Sequence, residues 1–295
     1  GLGDVYKRQV CNLSYLQTDW YIDQMRRPAY DSPSVPILWD RIEFVAGVNE
    51  YVPVRPEAKA QILDLYAKNP VAAKESFGDE PFELKNILKY WVRAKNEDLH
   101  FIPTDTVYIT LDKEAIKRSG MMIPEALKDS LPDKMAIPLK KRALYKSELM
   151  MLEMLANTNW ERPIYMATTV GEDNHLGLGP FFLQEGLAYR ITPFNYQQLG
   201  YPQSIREGYA IDTEKMYDNM MNKFKFGGIE NPDVYLDETV SRMCYTHRRM
   251  FSQLITQLLK EGKNDKALKA LDYCEQVIPN ETCLLYTSPS PRDRS

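Results

Sequence analysis

The chain has 295 residues, of which 44% are hydrophobic and 11% aromatic, and its formal net charge is −4. This composition suffices for a packed core and excludes a disordered chain, while the mild acidity argues against nucleic acid or anionic lipid as the main partner. The apolar runs are only a few residues long, whereas a membrane-spanning helix needs about 20 apolar residues, so the sequence predicts no such span.

Both ends of the chain resemble translated sequencing adapter rather than natural protein. The first nine residues read GLGDVYKRQ and the last thirteen read CLLYTSPSPRDRS. Such segments are set aside before a fold is inferred. We therefore expect residues 1–9 and 283–295 to be artefacts, and the natural sequence to run from Val10 to Thr282 as a piece of a longer protein.

The N-terminal part of the chain alternates strands with helices. Val10–Leu16 is typical of a short buried strand, and Thr18 or Asp19 is suited to cap a helix that Pro28 would end. The spacing of apolar residues then predicts helices over Glu57–Lys68 and Pro81–Lys95, a strand over Thr106–Leu111, and a short helix that opens at Asp112 and ends at Gly120.

The middle of the chain contains the clearest predicted helix, over Leu144–Asn157, with Glu148 and Glu153 expected on its wet side. A strand (PIYMATTV), a glycine-rich turn over Gly171–Gly179 and a second strand (LAYRITPF) follow. This order of elements favours an α/β architecture in which some strands are parallel. We therefore predict that residues 10–200 form an α/β domain with a Rossmann-like mixed or parallel sheet.

Residues 201–282 are predicted to form an all-α, tetratricopeptide-like tail. After a polar linker, helices are expected over Glu214–Phe226, Asp233–Lys260 and Asp265–Val277. The last two helices carry residues at the positions of a tetratricopeptide repeat, namely Phe251, Leu254, Ile255, Leu258, Ala267, Leu271 and Pro279. A generic helical hairpin is the alternative interpretation.

Two groups of polar residues follow predicted strands and are candidate ligand-binding residues. Gln17, Thr18 and Asp19 come after the first strand, and Asn174 and His175 lie in the glycine-rich turn after PIYMATTV. Ligands of open α/β sheets bind where strands end, which gives these five residues their candidate role. Helix capping and turn formation would use the same residue types, so a structural role is the alternative.

A carboxylate pair adds one more candidate. Asp19 and Asp23 are four residues apart on one predicted helix face, where they could hold a cation or do acid–base work. Cys11, Cys244 and Cys274 are too widely spaced for a disulfide framework or a zinc site. Because the sequence contains no nucleotide-binding, hydrolase or metalloprotease motif, we predict no cofactor, no metal ion and no catalytic residue.

Three blocks of the sequence together resemble a bacterial family. They are LQTDWYIDQM at 16–25, LYKSELMMLEMLANTNWERPIYMATTV at 144–170 and FFLQEGLAYRITPF at 181–194. The family is catalogued as domain of unknown function 2723 and is grouped with protein O-mannosyltransferase-like membrane glycosyltransferases. The resemblance covers roughly residues 10–200 and concerns the region downstream of the family's membrane bundle.

The resemblance implies that this chain is one part of a longer protein whose catalytic site lies in another part. The catalytic site would lie in the multi-span bundle and use a lipid-linked sugar, so no catalytic residue carries over to this chain. The chain itself would be a non-catalytic region at the periplasmic face of the bacterial inner membrane. Its partners would be the membrane bundle of the same polypeptide and an acceptor protein or polymer.

Two other interpretations of the sequence remain open. In the first, the chain is a tetratricopeptide-type interaction module without an enzymatic parent. In the second, it is a small-molecule α/β enzyme that uses the strand edges near Asp19 and His175. The reading frame upstream of Val10 distinguishes the first of these from the glycosyltransferase interpretation, because only the latter requires membrane-spanning segments there.

Overall fold

The architecture is that of a mixed α/β protein, seen in a computed structural model that describes residues 10–29, 31–201, 208–231 and 233–279. The predicted α/β class is confirmed: the sheets are small, helices predominate and the C-terminal part is helical. The adapter-like segments predicted at 1–9 and 283–295 lie outside the described residues.

The chain divides into two compact units. Of the described residues, those from 10 to 164 and from 173 to 178 belong to the first unit, and those from 165 to 172 and from 179 to 279 belong to the second. The second unit therefore combines strands that the sequence analysis assigned to the N-terminal domain with the helices that follow them. The domain limit predicted near residue 200 stays a prediction.

The helices of the first unit are short, and several match predicted ranges. They are α1 (Asp19–Met25), α2 (Arg41–Phe44), α3 (Ala58–Lys68), α4 (Pro70–Phe77), α5 (Leu84–Ile87), α6 (Lys113–Arg118) and α7 (Lys146–Asn157). A π-helical turn, Leu88–Val92, continues α5. The helix predicted to open at Asp112 is present as α6, and Asp112 caps it: Asp112 Oδ1 accepts the backbone N–H groups of Glu114 (3.1 Å) and Ala115 (3.0 Å).

The N-terminal segment is a turn, so the strand predicted over Val10–Leu16 is wrong. The chain instead forms a 3-10 turn at Tyr15–Gln17, and Asn12 Oδ1 accepts the backbone N–H of Tyr15 (3.2 Å). The backbone N–H of Asn12 donates to the hydroxyl of Tyr21 (2.8 Å). A short polar side chain that satisfies nearby amides competes with strand pairing, and here the local bonds prevail.

Two antiparallel pairs of strands form the sheets in the described part of the first unit. The strands are β1 (Tyr51–Pro53), β2 (Thr106–Thr110), β3 (Lys134–Pro138) and β4 (Ala143–Tyr145). β1 pairs with β4, and β2 pairs with β3. Val107 and Ile109 of β2 are buried, so the β-branched residues that predict this strand face the core.

Helix α7 contributes much of the core of the first unit. Its buried apolar side chains are Leu149, Met150, Leu152, Met154 and Leu155. Glu148 and Glu153 are buried too, so the prediction that they face water is wrong. Glu148 Oε2 accepts the backbone N–H of Tyr145 (2.9 Å), and Glu153 Oε1 accepts that of Leu38 (3.0 Å). Burial of a carboxylate is far less costly when such partners replace water.

The second unit contains a four-stranded sheet in the order β5-β7-β6-β8. Its strands are β5 (Tyr165–Ala167), β6 (Phe182–Gln184), β7 (Ala188–Ile191) and β8 (Ala210–Ile211). β7 is antiparallel to both neighbours, and β8 is parallel to β6. A Rossmann-like parallel sheet is not confirmed, because the short turn at 185–187 joins β6 directly to β7, whereas parallel neighbours need a crossover of about a dozen residues.

The helices described in the second unit are α8 (Thr213–Asp218), α9 (Glu238–Lys260) and α10 (Asn264–Val277). A π-helical turn, Asn219–Lys223, continues α8. Helices α9 and α10 form a hairpin whose buried residues include the predicted Phe251, Leu254, Leu258 and Ala267. The tetratricopeptide fold is not confirmed, and Leu271 of the predicted repeat pattern is exposed. Among the helices that the structure describes, none has the length and apolar character needed to cross a membrane.

Candidate functional site

Gln17 and Thr18 lie at the start of α1, beside the first turn of α7. Gln17 Oε1 accepts the backbone N–H of Ser147 (3.2 Å). Thr18 Oγ1 donates to the carbonyl oxygen of Tyr15 (2.7 Å), and its side chain makes no capping bond to α1. The sequence thus correctly predicts Thr18 at the start of the helix. Its hydroxyl does not cap the helix, however, because it donates to the preceding carbonyl of Tyr15.

The carboxylates of Asp19 and Asp23 share the guanidinium group of Arg41, which belongs to α2. Arg41 Nη2 lies 3.1 Å from Asp19 Oδ2, and Nη1 pairs with Asp23. An arginine side chain therefore bridges the carboxylate pair that the sequence analysis considered for a cation. Within the described ranges, no group of three or more His, Cys, Asp or Glu side chains is placed to hold a metal ion.

Four exposed aromatic side chains lie in or next to the segments joined here, and we call them the aromatic band: Tyr15, Trp20, Tyr51 and Tyr145. Their exposed fractions are 51%, 54%, 59% and 53%, respectively. The ring centroids of Tyr15 and Trp20 are 5.6 Å apart, and those of the cross-strand pair Tyr51 and Tyr145 are 5.9 Å apart. The hydrogen bond between Gln17 and the Ser147 amide joins the chain segments that carry the two pairs, since Tyr15 and Trp20 flank Gln17 and Tyr145 closely precedes Ser147.

The other predicted group, Asn174 and His175, lies in the glycine-rich turn. Asn174 is exposed at the end of a 3-10 turn, whereas His175 is buried. The carbonyl oxygen of His175 accepts the backbone N–H of Leu178 (2.8 Å), which closes the turn. Gly177 brings the turn against Pro138 at the end of β3. These neighbours differ from those of Gln17, so the structure describes two predicted groups with different surroundings.

Gly177 is a residue of this turn at which a side chain cannot be accommodated. Its φ is +73°, and a Cβ atom would overlap the carbonyl oxygen of Pro138. Gly177→Ala is therefore expected to lower the free energy of unfolding by more than about 1 kcal/mol, measured by urea denaturation with tryptophan fluorescence. Gly120→Ala is the matched control, because Gly120 has a φ of +65° but open space around it. Equal losses for both variants would contradict the overlap argument.

A buried ionic cluster in the second unit was missed by the sequence analysis. Glu185 follows β6 and is almost fully buried, as is Arg190 in β7. Glu185 Oε2 accepts the hydroxyl of Tyr165 (2.7 Å), while Oε1 lies 3.2 Å from Lys215 Nζ and 3.6 Å from Arg190 Nη1. The Glu185 carbonyl accepts the side-chain amide of Asn219 (2.7 Å). The Glu185 carboxylate therefore ties β5, β7 and α8 together, and the backbone carbonyl of the same residue holds the π-helical turn.

Asp212 lies beside this cluster and directly precedes α8. Its Oδ1 accepts the backbone N–H of Lys215 (3.0 Å), which is the bond of a helix N-cap. Burial raises the pKa of Asp212 above its ordinary value; the hydrogen bond from Lys215 opposes this shift, and the Glu185 carboxylate adds to it. In the folded protein, ionised Asp212 is thus less favourable than in the unfolded chain.

The raised pKa of Asp212 gives a pH-dependent expectation for its variants. The folded state binds a proton more tightly than the unfolded state, so the penalty for the buried charge is present above the folded pKa and disappears as pH falls through it. Asp212→Asn keeps the capping acceptor without the charge, so it should be at least as stable as the parent at neutral pH. Its advantage should shrink on acidification.

Asp212→Ala is the matched control because it also loses the cap. It should be less stable than Asp212→Asn by about 1 kcal/mol at every pH, as followed by hydrogen exchange of the α8 amides. A gap between Asp212→Asn and the parent that widens towards acidic pH would contradict this account.

The signal for the ionic cluster was present in the third block that carried the family resemblance. FFLQEGLAYRITPF places Gln184, Glu185 and Arg190 among apolar residues, and Arg190 lies within a predicted strand. Charged residues are almost never fully buried unless they are paired. Opposite charges within one such apolar stretch indicate an internal ion pair.

The fold and these sites define a mixed α/β protein with a buried ionic cluster in one unit and an exposed aromatic band in the other. Over residues 4–215 the chain matches the family described as TMEM260-associated domain 2, and it belongs to that family. TMEM260 is a protein O-mannosyltransferase-like family, which agrees loosely with the resemblance found in the sequence; domain of unknown function 2723 is not confirmed. No curated protein and no solved structure matches the chain.

Proposed function

We propose that the chain is a non-catalytic region of a protein O-mannosyltransferase-like membrane glycosyltransferase and that it recognises or positions the acceptor. Membership of the TMEM260-associated family over residues 4–215 carries this proposal. The parent would belong with domain of unknown function 2723, and its membrane bundle would draw on a lipid-linked sugar. This region would face the periplasm and present an acceptor protein or polymer to the bundle.

The chemistry of the described side chains supports a positioning role. Glu185 and Asp212 are buried and form hydrogen bonds within the fold, so their evident task is structural. The aromatic band, by contrast, is open to solvent and is bordered by Arg41. Tyrosine, tryptophan and arginine are the residue types that dominate the binding energy of protein surfaces. A surface of this kind can hold a partner without reacting with it.

The test compares the intact parent with a version in which the region matching residues 10–279 is replaced by a flexible linker. Both proteins are inserted in membranes and supplied with the lipid-linked donor and a protein acceptor. We expect transfer to the acceptor to fall strongly in the replaced version, while slow donor hydrolysis persists because the bundle is intact. Unchanged transfer would show that this region does not position the acceptor.

The second candidate function is a protein-interaction module of tetratricopeptide type without an enzymatic parent. It is favoured by the exposed leucines of the α9–α10 hairpin, which are Leu259, Leu268 and Leu271. Exposed apolar side chains on a helix are the usual contacts of a partner helix. Membrane-spanning segments upstream of Val10 in the source genome would support the first function, and a hydrophilic frame from its start codon would support the second.

A further inference from the structure

The aromatic band concentrates the exposed rings of the first unit in one region. Among the residues described there, Tyr15, Trp20, Tyr51 and Tyr145 are the exposed aromatic side chains, and the others are buried or partly buried. Large rings left in water forgo the gain of burial, about 25 cal/mol per Å² of apolar area. Exposed apolar residues scattered singly need no explanation, so we consider the two ring pairs on these joined segments together as one candidate surface.

Several of the charged groups beside the band are paired with one another. Arg41 forms ion pairs with both Asp19 and Asp23, and the buried Lys146 pairs with Glu50 next to β1. This mutual pairing leaves little uncompensated charge to attract an ionic ligand. The surface is therefore complementary to a neutral ligand that combines apolar faces with hydrogen-bonding edges.

We propose that the aromatic band binds a neutral oligosaccharide. A pyranose ring exposes C–H groups on its faces and hydroxyl groups at its edge. The C–H faces would pack on the ring of Trp20 and on the tyrosine rings, since an aromatic ring offers a large, rigid apolar face. The hydroxyl groups would bond to the Asp19 carboxylate, the Gln17 amide and the tyrosine hydroxyls.

The arrangement of the rings also indicates the length of the ligand. Tyr15 with Trp20 forms one pair and Tyr51 with Tyr145 the other, so a chain of several sugar units would contact more of the surface than a single sugar. This inference goes beyond the proposed function, because it names a ligand class and a site. It holds whether or not the parent protein transfers sugar.

Trp20 provides a direct probe of this surface. It is half exposed, whereas the other tryptophans, Trp39, Trp91 and Trp160, are buried. Quenching of tryptophan fluorescence by acrylamide in the full chain therefore reports mainly on Trp20. Neutral mannose-, maltose- and cellulose-type oligosaccharides are titrated separately. We expect at least one of them to protect Trp20 in a saturable manner, and the charged oligogalacturonate not to do so.

Variants then locate the binding by titration calorimetry with the oligosaccharide that protects Trp20. Trp20→Ala and Tyr145→Ala should each weaken binding roughly tenfold, the loss that removing one stacked ring produces. Trp20→Phe keeps an aromatic face and should retain most of the affinity. The matched control is Tyr235→Ala, because Tyr235 is 89% exposed but belongs to the second unit, and this variant should bind like the parent.

Three results would overturn the proposal. One is the absence of saturable binding for every neutral oligosaccharide; another is binding that Trp20→Ala leaves unchanged while its circular dichroism matches that of the parent. The third is protection of Trp20 only by an extended polypeptide, such as carboxymethylated casein, which would make the band a protein-binding surface. Because these measurements use neither donor nor acceptor, their failure is distinct from failure of the proposed acceptor-positioning function.

Discussion

Replacing Glu185 with Ala is expected to lower the free energy of unfolding of the second unit by about 3–5 kcal/mol, because it removes one partner of a buried ion pair. Arg190 and the Lys215 ammonium group would lose this carboxylate, and the Tyr165 hydroxyl would lose its acceptor. A buried charge deprived of its counter-charge cannot recover the hydration that it gave up on folding. The effect should therefore exceed that of an ordinary surface substitution.

Hydrogen exchange of the β6 and β7 amides is the suitable measurement for this variant, since all four tryptophans lie in the first unit. Lys215→Ala is the matched control: Lys215 contacts the same Glu185 oxygen but is about one-third exposed, so water can replace it. Lys215→Ala should lower the free energy of unfolding by about 1 kcal/mol or less. Equal losses for Glu185→Ala and Lys215→Ala would contradict the burial argument.

Lys146→Ala should lower the free energy of unfolding of the first unit by about 2–4 kcal/mol. The Lys146 ammonium group is fully buried at the start of α7 and donates to the carbonyl oxygens of Phe44 (3.1 Å) and Val45 (3.4 Å) and to Glu50. Removing the side chain leaves these acceptors without this donor and opens a space where its aliphatic stem was packed. Urea denaturation followed by tryptophan fluorescence measures the change.

Two companion variants separate the causes of the Lys146 effect. Lys146→Met keeps most of the apolar stem but not the donor. If the hydrogen bonds dominate, it should lower the free energy of unfolding nearly as much as Lys146→Ala does. Lys140→Ala removes an exposed lysine nearby in the sequence and should change the stability by less than about 0.5 kcal/mol. A Lys146→Met variant as stable as the parent would show that packing, rather than hydrogen bonding, accounts for the effect.

Local signals in the sequence predicted those elements whose causes are themselves local. The side chain of Asp112 accepts amides two and three residues ahead, and the buried apolar residues of α7, from Leu149 to Leu155, are spaced within the helix itself. The strand predicted over Val10–Leu16 is wrong. The composition of this segment suits a strand, but a strand also needs a neighbouring strand with which to pair. The bonds of Asn12 to Tyr15 and Tyr21 left the segment as a turn.

The wet side of α7 shows why some side chains could not be placed from the sequence. The helical periodicity of α7 predicts Glu153 at the surface, yet Glu153 accepts the backbone N–H of Leu38, which is distant along the chain. Burial raises the pKa of Glu153 above its ordinary value, more than this bond and the neighbouring Trp39 lower it. The sequence of the helix does not predict this partner, because only the tertiary fold brings Leu38 next to Glu153.

The ligand-binding role of the candidate residues stays a prediction, but the place of the first group in the fold was predicted in part. The sequence placed Gln17, Thr18 and Asp19 at one helix start, which is where they lie. It could not show that Arg41 would bridge the neighbouring carboxylates or that the first turn of α7 would adjoin them. The aromatic band was equally hidden, because abundant tyrosine predicts packing as readily as exposure until the solvent-facing rings are known.

The unequal helices of the C-terminal hairpin have a consequence for how that part of the chain assembles. Helix α9 has 23 residues and α10 has 14, so they span about 35 Å and 21 Å at 1.5 Å per residue. The overhang of α9 cannot be covered by its partner alone, and Met216 and Met220, from α8 and the turn after it, share its buried cluster. A peptide that carried only α9 and α10 would therefore fray at the beginning of the longer helix.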